Sequence, residues 1–167
     1  MADTNTMGYS AYGLIRDGSS DDMADDVRRA ELKDADVIAQ MARVIEGDSW
    51  YWTFGKVVED LGAFIVEGDP VHGFARAQLT PDGLLITQIA VKPEMQRKGV
   101  ATRILKGLEA IAREAGLSCV YNMGPKTKEI NAVYQKLGYR DVGEGPYGRI
   151  LVKEVNDVQD TKEAPQE

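Results

Sequence analysis

Apolar residues recur along this chain with two alternating periods. Residues 27–32 read as a short strand. Asp34 then offers an N-cap, and Val37, Ile38, Met41, Val44 and Ile45 fall at helical spacing until Gly47 stops the pattern. After an aromatic run, Trp50, Tyr51, Trp52 and Phe54, a short helix is predicted over 56–61. Strands at 63–66 and 71–79 flank a Gly68-Asp69-Pro70 turn, and a second turn, 80–83, leads into the almost continuous apolar run 84–91. Such a run suits a strand buried on both faces. Pro93 ends it, and a helix follows over 99–115 with Ile104, Leu105, Leu108, Ile111 and Ala112 on one face. Cys119–Met123 is another strand, Thr127 caps a helix that buries Ile130, Val133, Tyr134 and Leu137, and 139–142 with 149–155 form a closing pair of strands. Strand, loop, helix, strand in the middle implies parallel pairing there, and the hairpins imply antiparallel pairing elsewhere. The expected architecture is a mixed sheet flanked by helices.

The chain has 167 residues, 43% of them hydrophobic, which suits one domain. That domain is expected over 26–155, preceded by a flexible acidic extension (1–25) and followed by a disordered acidic tail (156–167). No stretch of 18 apolar residues suggests a membrane span, no secretory signal is visible in the first ten residues, and the single cysteine, Cys119, excludes an internal disulfide. A cytoplasmic location is the expectation. Twenty basic residues stand against 27 acidic ones, a net charge of −7, which disfavours nucleic acid and anionic membranes as partners. The basic residues cluster once, at Lys92, Arg97, Lys98, Arg103, Lys106 and Arg113. A local positive patch in an acidic protein suits a small anionic ligand, and a solvated helix face explains it equally well.

That patch surrounds the stretch where the buried strand runs through Lys92-Pro93-Glu94-Met95-Gln96-Arg97-Lys98-Gly99 into a helix. The first N–H groups of a helix lack internal partners and sit at the positive end of its dipole. Gly99 and Ala101 let an anion approach them closely, Thr102 adds a hydroxyl, and Lys98 and Arg103 add charge. The stretch has neither the Gly-Lys-Ser/Thr ending of an ATP loop nor the three-glycine dinucleotide fingerprint. As a glycine loop alone it is also explained by a helix start that needs one glycine.

The surrounding residues add a resemblance. The strand through 85–91, the Pro93-Glu94 turn and Gln96, Gly99 and Ala101 are similar to the central motif of the GNAT superfamily of acyl-CoA-dependent N-acetyltransferases. Tyr134-Gln135-Lys136-Leu137-Gly138-Tyr139 resembles the family's Tyr-x-Lys-Leu-Gly-aromatic segment, and Val27-Arg28-Arg29-Ala30 with Asp34 and Ile38 resembles its first strand and helix. The resemblance spans 26–154 and implies an α/β (α+β) fold: a mixed, mostly antiparallel sheet of six to seven strands, about four helices, and a splayed central parallel pair. It implies acetyl-CoA as cosubstrate, a primary amine as acceptor, direct attack in a ternary complex, and no metal. Pantetheine would pair with the backbone of Ile89, Ala90 and Val91, with the Ile89 amide as an oxyanion-type donor. The diphosphate would rest on Gln96, Arg97, Lys98, Gly99, Val100 and Ala101, assisted by Thr102. Tyr134 matches the family's frequent general acid, able to protonate the departing thiolate; a core tyrosine is the plain alternative. Thr127 stands where the family often has Asn, and Asn131, one turn further, can replace it, although a solvated or packing role suits it equally. Where some members carry a glutamate on the fourth strand, this chain has Leu85, so the amine proton is expected to leave through ordered water held by strand carbonyls or Gln88. Family members often dimerise, so a homodimer is compatible with the resemblance.

His72 is expected to be an ordinary strand residue and Cys119 an inert core thiol; neither has clustered partners for zinc. The aromatic run at 50–54 lies where the family builds one wall of the acceptor pocket. Two other classes stay in view: a non-catalytic acyl-CoA-binding or interaction module on the same fold, and nucleic-acid modification, which the acidic balance disfavours.

Overall fold

The apolar run predicted at 84–91 is the central strand of a seven-stranded sheet in the computed structural model of the protein, which describes residues 27–46, 53–124 and 127–156. In chain order the elements are β1 (Val27–Arg29), a 3-10 turn (Leu32–Asp34), α1 (Ala35–Glu46), α2 (Phe54–Glu59), a 3-10 turn (Leu61–Ala63), β2 (Phe64–Glu67), β3 (Gly73–Thr80) and β4 (Gly83–Val91). A 3-10 turn (Pro93–Met95), α3 (Val100–Glu114), β5 (Cys119–Met123), α4 (Lys128–Lys136), β6 (Arg140–Gly145) and β7 (Gly148–Glu154) follow. The strand order is β1-β2-β3-β4-β5-β7-β6, and every neighbouring pair is antiparallel except β4 with β5. This is the expected mixed sheet with its central parallel pair.

Side chains alternate across the sheet and feed two cores. Ile65, Ala75, Leu84 and Ile86 pack with Ile104, Leu105 and Leu108 of α3 and Tyr134 of α4. Phe64, Val66 and Phe74 face the other way, against Ile38 and Ala42 of α1 and Val57 of α2. Covering both faces explains why the central strands read as continuous apolar runs rather than alternating ones.

Three local features differ from expectation. β1 ends at Arg29, because the chain turns at once: the carboxylate of Asp34 accepts the Glu31 N–H at 2.7 Å and both guanidinium arms of Arg28 at 2.8 and 3.0 Å. Asp34 therefore fastens the segment upstream of α1 instead of capping that helix. Cys119 is half-buried, and its thiol donates to the Asp82 carbonyl at 3.1 Å, so it lies at the sheet end and not in the core. In β4, Gln88 pairs with Arg76 and Ile86 with Ala77, which leaves Thr87 without a partner: a β-bulge. The bulge flips the alternation, so Ile86 and Ile89 share one core although they are three residues apart. The predicted extension, the tail beyond Asn156 and the aromatics Trp50, Tyr51 and Trp52 lie outside the described residues. Asn156 itself is fastened, donating to the carbonyls of Arg113 and Leu117.

Candidate active site

β4 and β5 run together only through Leu84–Val120, Leu85–Tyr121 and Ile86–Asn122. Beyond the bulge, β4 continues to Val91 with no further pairing to β5, so the parallel pair opens. A cavity of about 590 Å³ extends from the end of β4, past the Pro93 turn and the start of α3, to α4. That volume lies in the range of small-molecule and cofactor sites.

The loop at its mouth has an unusual backbone. Arg97 has φ 65° and Gly99, the N-cap of α3, has φ 85°. The first helical bond runs from Arg103 N–H to Gly99 C=O at 3.0 Å, so by helix geometry the amides of Val100, Ala101 and Thr102 have no acceptor within the helix. A glycine N-cap has no side chain to supply one, whereas Thr127 caps α4 by accepting the Ile130 N–H at 3.1 Å. The Val100 and Ala101 side chains are buried, which fixes the helix start against the sheet. Gln96 donates from its side chain to the Val91 carbonyl at 3.3 Å and so ties the loop to the end of β4. Among the described residues, Lys92, Arg97 and Lys136 line the cavity against one lining carboxylate, Glu129. The cavity is thus locally cationic in an acidic protein.

Of the residues expected to touch the cosubstrate, Ile89, Ala90, Val91, Gln96, Arg97, Gly99, Val100, Ala101, Thr102 and Thr127 all line this cavity. Lys98, Asn131 and Tyr134 do not. Lys98 is exposed on the loop, and Asn131 is half-buried, its backbone N–H donating to the Thr127 carbonyl. Tyr134 is fully buried, its ring edge-on to Tyr139 with centroids 5.0 Å apart. Its hydroxyl has no hydrogen-bond partner, and neither does the nearby buried Asn122 Oδ1. Burial pushes the phenol's pKa well above its ordinary value, partly offset by the Asn122 side chain, which lies close to the hydroxyl without a hydrogen bond of good geometry, so the group holds its proton throughout the physiological range.

Among the described residues, no carboxylate of the core stands ready as a base. Asp34 is held by Arg28, Glu67 by Arg103 and His72, and Glu109 by Lys153 and Tyr139. Leu85 is buried on β4, and Asp60 is paired with Arg76 at 3.2 Å. His72 lies in the turn before β3, not inside the strand, with Nδ1 2.9 Å from Glu67 Oε1. Burial raises the Cys119 pKa, which favours the thiol over the thiolate. Met41 and Val44 of α1 also line the cavity, as do Ala132 and Val133 of α4. The sequence placed both only on the helical apolar spacing of α1; Met41 is buried in the core, whereas Val44 is 79% exposed, and its apolar character at a helix end was the one available signal. Among the described residues, no group of three or more His, Cys, Asp and Glu could hold a metal ion, and no helix is long and apolar enough to cross a membrane.

The family model described as the acetyltransferase (GNAT) domain matches residues 57–141. The chain belongs to the GNAT acetyltransferases. This GNAT domain matches no curated protein at a significant level. Solved structures share its fold. One is a PaiA N-acetyltransferase from Thermoplasma acidophilum in complex with coenzyme A (TM-score 0.67, 14% identity, covering 79% of this chain and 99% of that one). Another is the ribosomal-protein-S18-alanine N-acetyltransferase from Escherichia coli (TM-score 0.60, 17% identity, 78% and 93%). A third is the N-acetylglutamate synthase from Neisseria gonorrhoeae complexed with coenzyme A and N-acetyl-glutamate (TM-score 0.66, 21% identity, 77% of this chain and 34% of that larger one).

Proposed function

We propose that this GNAT domain transfers the acetyl group of acetyl-CoA to a primary amine, of a small molecule or of a protein, by direct attack in a ternary complex in the cytoplasm. The observation that carries this reading is a cavity that runs from the end of β4, where its pairing with β5 has stopped, to the uncapped start of α3. A long ligand with an anionic middle and an uncharged arm fits such a cavity. Its diphosphate would sit on the amides from Gln96 to Ala101, with Thr102 and Arg97 beside them. Its pantetheine arm would lie along Ile89, Ala90 and Val91 and replace the missing β5 partner.

The thioester would then reach the bulged part of β4, where the Ile89 amide would stabilise the oxyanion. The acceptor nitrogen attacks the thioester carbonyl, the C–N bond forms, and collapse of the tetrahedral adduct breaks the C–S bond. The departing thiolate would take the proton of Tyr134, and the proton shed by the acceptor nitrogen after attack would return to the phenol, so that Tyr134 ends the cycle protonated. The ammonium proton of the acceptor leaves through water held by strand carbonyls and Gln88. This route accords with the core carboxylates all being held by cations.

Release of free thiol from acetyl-CoA, followed across a panel of amines, tests the proposal. Turnover with at least one amine is expected, together with loss of coenzyme A affinity in Gly99→Val, where both the left-handed φ and the bare approach to the amides are lost. Tight coenzyme A binding without thiol release for any amine would instead favour a non-catalytic acyl-CoA-binding module.

A further inference from the structure

We infer that Glu67 and Arg103 are positioning residues for the anion loop, acting as a strut that holds its backbone amides in place. The Glu67 side chain, 1% exposed at the end of β2, uses both oxygens: Oε1 lies 2.9 Å from His72 Nδ1 and Oε2 accepts from Arg103 Nε at 2.8 Å. Arg103, in the first turn of α3, reaches back with Nη1 to the Lys98 carbonyl at 3.3 Å. The near end of the same loop is fastened to the same turn, because Lys92 N–H donates to the His72 carbonyl at 2.9 Å, while His72 N–H donates to the Glu67 carbonyl at 2.7 Å. Both ends of the segment 92–98 are therefore pinned to the β2–β3 connection. Between them Arg97 adopts a left-handed backbone, which a non-glycine residue keeps only where its surroundings enforce it. Gly99 belongs to the device: a Cβ there would stand 2.9 Å from Arg103 Nη1 and displace the strut.

The charge of Glu67 makes the assignment testable. A buried carboxylate close to an anion site lowers anion affinity by Coulomb repulsion. If Arg103 met the diphosphate simply as a free cation, neutralising Glu67 would strengthen binding. If Glu67 works through Arg103 on the Lys98 carbonyl, neutralising it loosens the loop and weakens binding. The two roles have opposite signs.

The inference rests on the coenzyme A reading, and the experiment separates the two. Binding of coenzyme A, and of pantetheine, which lacks the diphosphate, is measured by calorimetry on the full chain and on Glu67→Gln and Arg103→Lys. Each variant should bind coenzyme A roughly tenfold more weakly and pantetheine as the parent does. Arg103→Lys keeps the cation but cannot span Glu67 and Lys98 together, and at 38% exposure its site tolerates the change, so it decides the matter if Glu67→Gln does not fold. Unchanged or tighter coenzyme A binding in a folded variant overturns the strut, and so does an equal loss for pantetheine. Failure of the parent protein to bind coenzyme A overturns the functional reading and the strut with it.

Discussion

Tyr134 and Tyr139 touch, ring edge to ring face at 78°, yet their hydroxyls have opposite surroundings. Tyr139 donates to Glu109 Oε2 at 2.9 Å, and Lys153 holds the other oxygen of that carboxylate at 3.1 Å while lying over the Tyr139 ring. Every member of this seam between α3 and β7 is satisfied. Five residues earlier in the chain, the hydroxyl of Tyr134 is just as deeply buried and has no partner. A buried polar group left unmatched lowers stability, and native structures keep few of them. The contrast separates a tyrosine that serves folding from one that folding leaves unmatched: the seam locks α3 to the sheet, whereas the readiness to donate assigned to the Tyr134 hydroxyl belongs to the function proposed above.

The largest effect that can break this comparison is on the seam. Glu109→Ala leaves a buried phenol and an ammonium without their shared acceptor and should cost about 3 kcal/mol in denaturant unfolding, toward the lower end for a broken buried pair because Lys153 keeps some contact with water. Tyr134→Phe should do the reverse. Removing an unsatisfied hydroxyl should leave stability equal or raise it by about 1 kcal/mol, while turnover of acetyl-CoA falls about 100-fold. Loss of stability with turnover intact would assign Tyr134 to the core and end its catalytic role.

Much of the contrast was invisible in the sequence for identifiable reasons. The strands, the parallel pair and the α3 start were legible because periodicity, Pro93 and Gly99 are local signals. Tyr134 was legible through a local motif. The partners that distinguish the two tyrosines are not local: Tyr139 and Glu109 are 30 residues apart, and Lys153 and Glu109 44. Arg103 and Glu67, 36 apart, meet only once α3 packs on β2. The bulge at Thr87 carries no glycine or proline to mark it and follows from β3–β4 register. Asp34 has the composition of a cap, and only the nearby Arg28 and Glu31 N–H show that its carboxylate is engaged upstream.

A finer discrimination comes from alkaline pH. Burial raises the pKa of both phenols, and the negative charge of Glu109 raises that of Tyr139 further. In the unfolded chain both titrate near 10. Their pKa values being higher when folded, the unfolded state sheds protons first, so the contribution of each phenol is fully present below about pH 10 and is lost as pH rises beyond it. Each should subtract about 1.4 kcal/mol of stability per pH unit above that point. The two phenols together should therefore give twice the slope of either alone. Unfolding free energies at pH 10 to 11 should fall less steeply in Tyr134→Phe than in the parent, by that single increment, and the two proteins should run parallel between pH 7 and 9. Equal slopes above pH 10 would mean that the Tyr134 hydroxyl has water or another partner in solution, and the readiness assigned to it would lose its physical basis.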